Sequence, residues 1–105
     1  RMVIMSGIEE CFILDVRTEG EFEEKSIEGS TNIPHRKILV VEYPGSIGFA
    51  LTKIPKDKKI VVYCETGSRA TQAAKVLTKK GYNVINLLNF EQAEDFVKAL
   101  KERRS

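Results

Sequence analysis

The sequence predicts an α/β fold: a three-layer sandwich in which a mostly parallel central sheet carries helices on both faces. Three apolar runs of strand length alternate with segments that have the hydrophobic spacing of helices. This alternation is typical of parallel sheets that are covered on both sides. Ligands of such open sheets bind beyond the carboxyl ends of the strands, so the polar residues that follow the apolar runs are the first candidates for a functional site.

Four segments have strand signals. Residues 11–16, 60–63 and 83–87 are largely apolar runs, which suits strands that are buried on both faces. Residues 31–34 form a shorter candidate, and Pro34 restricts them to the end or the edge of a sheet.

Helical periodicity is clearest in the second half of the chain. Residues 68–80 have apolar positions at i, i+3, i+4 and i+7, and Gly81 is a suitable residue to end that helix. The final segment repeats this spacing at Ala93, Phe96, Val97 and Leu100. Residues 19–25 are a further helix candidate with a weaker signal, because Gly20 near the start lowers the helix propensity of the segment. Residues 35–53 predict a loop with a short helical turn near its start.

Composition favours one soluble globular domain that covers residues 1–105. Hydrophobic residues make up 42% of the chain and charged residues 30%, as in ordinary globular proteins. No apolar run approaches the length of a membrane span. The formal net charge of +2 is too close to balance to favour nucleic-acid binding, and the lysines are expected to be solvated.

The cysteine usage indicates a reducing compartment. Cys11 and Cys64 lie in or beside apolar runs and do not form a disulfide framework, so we expect reduced thiols in a cytoplasmic monomer. With one histidine in the chain, a structural zinc site is disfavoured, and we expect no metal and no cofactor. Cys11 is expected to fill the core.

The loop after the second long apolar run carries the strongest functional signal. It reads Cys64-Glu65-Thr66-Gly67-Ser68-Arg69 and lies between a strand and a helix. Such a junction directs several backbone N–H groups and the positive end of the helix dipole at one point. Gly67 gives the loop freedom to curl, and Thr66 and Ser68 add hydroxyl donors. The loop therefore predicts a cup for an anion or a thiolate.

Cys64 at the rim of this cup is predicted to be an ionised nucleophile that needs no histidine base. Arg69 would favour ionisation if it folds back over the loop; alternatively it is a structural clamp that pairs with a carboxylate such as Glu65. Glu65 itself opposes ionisation unless it points to solvent. The alternative is that Cys64 has only a structural role, as the last residue of a buried strand.

With further upstream residues, the loop resembles the active site of the rhodanese-like family. Residues 64–70 and the small and apolar positions of the next helix are similar to the family's active-site loop and helix. An upstream signature arrives in family order and spacing: Asp15-Val16-Arg17, Glu21-Phe22, Ile27, Gly29 and Asn32-Ile33-Pro34. The resemblance covers most of the chain, residues 13–88.

This resemblance implies a rhodanese-like sandwich and a sulfurtransferase activity. Cys64 would accept sulfane sulfur from thiosulfate or a persulfide and pass the resulting persulfide sulfur to cyanide, a small thiol or a protein cysteine. Residues 65–69 would bind the substrate. Loops tuned for small dianions tend to carry extra cations, so Glu65 predicts poor use of thiosulfate.

Two further polar positions leave alternatives open. Arg17 would either lie near the substrate, or Asp15 and Arg17 would be tied to Glu21 or to backbone groups and fix the loop. His35 follows Pro34 and would either approach Cys64 or lie at the surface as a lone histidine.

Other functions are weaker matches. Phosphatases on this fold place five residues between cysteine and arginine, whereas four stand between Cys64 and Arg69, which disfavours phosphatase and arsenate-reductase chemistry. A non-catalytic docking module typically lacks the cysteine. A sulfur relay to a partner protein's cysteine would combine catalysis with docking and would suit an acidic loop.

Overall fold

A parallel sheet forms the centre of the structure, a computed structural model that describes residues 7–40 and 49–103. Within these residues its four strands are β1 (Cys11–Asp15), β2 (Thr31–Asn32), β3 (Lys59–Tyr63) and β4 (Asn83–Leu88), in the spatial order β2-β1-β3-β4. All neighbouring strands run parallel, so the chain returns to the same sheet edge after each strand. The predicted mostly parallel sheet is confirmed.

Helices connect the strands. They are α1 (Glu19–Glu24), α2 (His35–Leu39), α3 (Ser68–Lys79) and α4 (Phe90–Arg103), with short 3-10 helices at Ile8–Glu10 and Phe49–Lys53. The helix α3 ends where the sequence predicts, because Gly81 has a φ of 93°. The Tyr82 N–H donates to the Leu77 carbonyl and the Gly81 N–H to the Thr78 carbonyl, which is a Schellman motif.

Alternating side chains of the sheet fill a core on each face. One core cluster includes Ile60 and Val62 of β3 together with residues of α2 and α3 such as Ile38, Ala73 and Leu77. The other face of the sheet packs against α4 through two smaller clusters, which contain Val61, Tyr63, Phe90, Ala93, Val97 and Leu100. Helices therefore cover both faces, and the predicted three-layer sandwich is confirmed.

The pairing of β3 with β4 contains a register shift. Val62 pairs with Asn86, but the next residue, Tyr63, pairs with Leu88. The shift ends at Leu88, whose φ of 69° lies in the left-handed region that a bulky residue rarely occupies. A bulge of this kind re-aims side chains at the carboxyl end of the strands, where the site is predicted.

The sequence located the other elements to within about two residues, the usual disagreement at element ends. The short strand at 31–34 is the edge strand β2, and 19–25 contains α1 despite Gly20. The segment 35–53 was expected to be a loop with one helical turn. It begins with α2 and ends with a 3-10 helix, and residues 41–48 lie outside the described part. Among the described residues, every helix is too short or too polar to span a membrane.

Substituting Leu77 by alanine should lower the free energy of unfolding by about 2–5 kcal/mol, because a fully buried side chain leaves a cavity between α3 and the sheet. Val40→Ala is the matched control, since Val40 is 49% exposed and its loss should cost less than about 0.5 kcal/mol. Urea titrations followed by circular dichroism measure both values. Equal destabilisation by the two variants would contradict the assigned core.

Candidate active site

Cys64 lies immediately after β3, at the carboxyl edge of the sheet. Its backbone N–H donates to the Leu88 carbonyl over 2.9 Å, so the neighbouring strand fixes its position. Its Sγ accepts hydrogen bonds from the backbone N–H groups of Gly67 at 3.0 Å and Ala70 at 3.3 Å. Two backbone donors therefore converge on the sulfur atom at the start of the helix that follows.

The loop curls because Gly67 adopts a φ of 113°. A Cβ atom at this position would lie 3.4 Å from the Leu88 Cβ and Cδ2 atoms, which is ordinary van der Waals contact, so the positive φ rather than a lack of space favours glycine here. The curl turns two N–H groups towards Sγ at the start of α3, a helix of 12 residues whose dipole also favours negative charge there. This arrangement is the predicted cup.

The donors in the cup are backbone groups. The hydroxyl residues Thr66 and Ser68 are exposed, and Thr66 forms an antiparallel bridge with Asn89 that joins the loop to the residue before α4. The hydrogen bonds described for Sγ come from N–H groups at residues 67 and 70. Cys64 itself is fully buried and belongs to the core cluster between the sheet and α3.

Arg17 is a buried residue whose guanidinium is held by Asp15. Its Nε lies 3.1 Å from both carboxylate oxygens of Asp15, and one terminal nitrogen lies 2.8 Å from Oδ2. That nitrogen also donates to the Lys25 carbonyl, and the other donates to the Glu65 Oε1 at 3.1 Å. Burial lowers the pKa of Arg17, but the hydrogen bonds and charge of Asp15, followed by the hydrogen bond to Glu65, outweigh burial and raise it.

Glu65 therefore faces Arg17, with its side chain 50% exposed. The structure favours the alternative in which Asp15 and Arg17 fix the loop. The carboxylate that joins this pair is Glu65 rather than the expected Glu21, and the backbone group is the Lys25 carbonyl. The hydrogen-bond network continues through Tyr63, whose hydroxyl donates to Asp15 Oδ2 at 2.7 Å. Burial, together with this hydrogen bond, raises the pKa of Tyr63 to about 12.

Arg69 is a clamp whose partner is Glu21, not Glu65. Its two terminal nitrogens lie 2.9 and 3.2 Å from the two Glu21 oxygens. Glu21 also completes the capping box of α1, since its carboxylate accepts from the Thr18 N–H while the Thr18 hydroxyl accepts from the Glu21 N–H. The hydrogen bond to Arg69, followed by that to Thr18, lowers the pKa of Glu21 to about 2.

His35 and Cys11 occupy different ends of the sheet. His35 follows β2 at the carboxyl edge and is half-buried. Its backbone N–H donates to the Val16 carbonyl. Burial and the charges of Arg69 and Arg36 lower the pKa of His35. Cys11 begins β1 at the opposite edge, and burial raises the pKa of its thiol. Cys11 packs with Val61 and Leu100, as expected for a core residue.

Leu88 is the site residue that the sequence did not reveal. Its carbonyl accepts the Cys64 N–H, its side chain lies where a Cβ atom on Gly67 would meet it at 3.4 Å, and it is 39% exposed. The Asn86 side chain stabilises its unusual backbone by accepting the Leu88 N–H at 2.9 Å. The two asparagines on either side, Asn86 and Asn89, were a signal of turn structure in this stretch.

The sheet order and the cysteine loop together define a class of protein, and comparison with known proteins names it. The family model of the rhodanese-like domain matches residues 4–89. This chain belongs to the rhodanese-like domain family, which the resemblance in the sequence indicated.

Relatives and solved structures agree with this assignment. A putative mitochondrial thiosulfate sulfurtransferase of Schizosaccharomyces pombe is 36% identical over 86 residues, which is 76% of this chain and 59% of the relative. A sulfurtransferase of Allochromatium vinosum is 30% identical over 84 residues, 79% of this chain and 70% of that protein. The crystal structure of a rhodanese-related protein from Thermoplasma volcanium matches with a TM-score of 0.60 and 29% identity, covering 79% of this chain and 73% of that one.

The Glu21–Arg69 pair predicts a pH-dependent contribution to stability. Because the pKa of Glu21 falls from an ordinary 4.5 to about 2 on folding, the pair should stabilise the protein above pH 4.5. That contribution is lost as pH falls from 4.5 towards 2. Glu21→Gln should therefore lower Tm at pH 7, and the difference from the unmodified protein should shrink towards pH 2.

Thermal melts at a series of pH values measure this difference. Glu23→Gln is the matched control, because Glu23 is an exposed carboxylate on the same helix and should give a smaller Tm change throughout. A Glu21→Gln effect that grows as pH falls would contradict the assigned pair.

Proposed function

We propose that this chain is a sulfurtransferase in which the Cys64 thiolate accepts a sulfane sulfur and holds it as a persulfide. The observation that carries the proposal is the pair of backbone N–H groups, from Gly67 and Ala70, directed at Sγ beside the start of α3. Preorganised donors of this kind stabilise charge on a nucleophile and on the product that it forms. The names of the two relatives support the same class of reaction.

The reaction has two displacement steps. In the first, the Cys64 thiolate attacks the outer sulfur of the donor, the donor's S–S bond breaks, and its electron pair leaves with the remaining fragment, sulfite in the case of thiosulfate. In the second, an acceptor thiolate or cyanide attacks the terminal sulfur of the Cys64 persulfide and regenerates the thiolate. The product is a new persulfide or thiocyanate, and no net oxidation occurs in either step.

The loop N–H groups act in both steps. They stabilise the attacking thiolate and then the persulfide, whose negative charge lies on a sulfur next to Sγ. Arg17, Glu65, Glu21 and Arg69 act by holding the loop, since their charges pair with one another. Thr66 and Ser68 form the exposed side of the loop.

The burial of Cys64 favours one alternative, a rhodanese module that binds a partner without catalysis. A fully buried thiol meets a donor only when the surrounding segments open. The apolar packing around Cys64 explains the burial without chemistry, whereas the two N–H groups on Sγ suit a thiolate. Direct sulfur loading separates the two functions.

Incubation with thiosulfate or a low-molecular-weight persulfide should add one sulfur atom to the protein, and cyanide or dithiothreitol should remove it. Cys64→Ser should abolish this addition, because the loop N–H groups converge on Cys64. Intact-mass spectrometry measures the addition.

Cys11→Ser is the matched control, since Cys11 is also a buried cysteine but lies at the other edge of the sheet. It should load as the unmodified protein does. Loading that survives in Cys64→Ser and disappears in Cys11→Ser would refute the assignment. No loading in any form would favour the non-catalytic module.

A further inference from the structure

Two arginines flank the loop, and each is paired with carboxylates. Arg17 is bound by Asp15 and Glu65, and Arg69 by both oxygens of Glu21. Arg69 is close enough to Cys64 for the cysteine's charge to contribute, after Glu21, to raising the arginine's pKa. The positive charges that would attract a dianion to Cys64 are therefore compensated, and attraction at the cup comes mainly from the loop dipoles.

The enclosure of Cys64 acts against a dianion as well. A donor that reaches Sγ must leave water, because the cysteine is fully buried. The cost of burying an ion in the Born description rises with the square of its charge, so a dianion costs about four times as much as a monoanion of the same size. Because Arg17 and Arg69 are already paired with carboxylates, they do not offset the higher cost of burying a dianion. A singly charged donor therefore has the advantage.

Leu88 provides an apolar surface next to the cup. A Cβ atom built on Gly67 would lie 3.4 Å from the Leu88 Cβ and Cδ2 atoms, so the Leu88 side chain lies beside Gly67, whose N–H donates to Sγ. The side chain is nevertheless 39% exposed, and its φ of 69° is maintained by the Asn86 side chain and by the Cys64 N–H. Residues outside ordinary backbone regions persist where surrounding contacts fix them, and such positions cluster at ligand sites.

We propose that Leu88 is a specificity-determining residue that contacts the organic group of a monoanionic sulfane-sulfur donor, a persulfide or a thiosulfonate. The inference rests on the proposed function, because it concerns the donor that loads Cys64. The loop N–H groups at residues 67 and 70 donate hydrogen bonds to the anionic end of the donor, and the Leu88 side chain contacts its organic substituent.

The loading step balances for both donors. With a thiosulfonate, the Cys64 thiolate attacks the outer sulfur, the S–S bond breaks, and its electron pair leaves with the sulfinate. With an organic persulfide, the same attack releases the organic thiolate. In each case Cys64 gains one sulfur and total charge is unchanged.

The experiment compares kcat/KM for benzenethiosulfonate, methanethiosulfonate and thiosulfate, with cyanide as acceptor and loading of Cys64 followed by mass spectrometry. Leu88→Asn removes the apolar surface, and asparagine accepts the left-handed backbone. It should lower kcat/KM for benzenethiosulfonate about fivefold and for the other two donors less than about twofold. Leu88→Met is the matched control, since it keeps an apolar side chain of similar size and should retain the phenyl preference.

A second variant tests the charge argument. Glu21→Gln frees the Arg69 guanidinium and should raise thiosulfate kcat/KM about threefold relative to methanethiosulfonate, an effect that shrinks at high salt. Comparing variants with the same donors cancels the intrinsic reactivity of each donor.

The outcomes separate this inference from the proposed function. Loading of Cys64 with a selective loss of benzenethiosulfonate turnover in Leu88→Asn supports both. Loading of Cys64 with equal losses for all three donors, or an unchanged donor ratio in Glu21→Gln, overturns the inference and leaves the sulfurtransferase intact. Failure of every donor to load Cys64 overturns the proposed function and the inference with it.

Discussion

The parallel pairing of β1 with β3 sets the geometry of the candidate site. Each residue of β1 is paired with the residue 48 positions later, as Asp15 is with Tyr63. The same offset continues beyond the strands, where Arg17 meets Glu65 and Glu21 meets Arg69 across 48 residues. The segments after the two strands therefore stay aligned, and ion pairs cross-link them. A one-residue slip of either strand would move each of its side chains to the opposite face of the sheet and separate these partners.

These cross-links give the loop its chemical character. Breaking a buried ion pair leaves an uncompensated charge, so Asp15 and Arg17 constrain each other and, through Glu65, the loop. Arg17 and Arg69 thus hold the backbone of the loop in place, and their charges are paired with carboxylates rather than available to a ligand. The hydrogen bonds described for the Cys64 Sγ accordingly come from backbone N–H groups, which the loop holds in fixed directions. A rigid cup of dipoles suits a sulfur anion of low charge better than a strongly hydrated dianion.

Local sequence signals predicted the elements and the loop, because strand runs, helical spacing and the Gly67 and Gly81 turns depend on neighbouring residues. The strand–loop–helix junction was enough to place a cup around Cys64. The sequence offered Glu65 as an example of a carboxylate for Arg69, and Glu21 or backbone groups for Asp15 and Arg17. The structure pairs Arg69 with Glu21, and Arg17 with Glu65 and the Lys25 carbonyl. Choosing between two glutamates requires the register of β1 against β3, which is a tertiary property. The full burial of Cys64 and the half-buried position of His35 depend on packing in the same way.

Leu88 shows how the last strand takes part in the site although it carries no ionisable group. The register shift in β4 and the Asn86 side chain place the Leu88 carbonyl where it accepts the Cys64 N–H and its side chain beside Gly67. Gly67 in turn adopts a φ of 113°, a backbone conformation that strains residues with a side chain. Cys64 is therefore held from two sides, by the N–H groups of its own loop and by the end of the neighbouring strand. Under the proposed role of Leu88, a change at this position should alter which substituent fits beside the cup while the hydrogen bonds to Sγ remain.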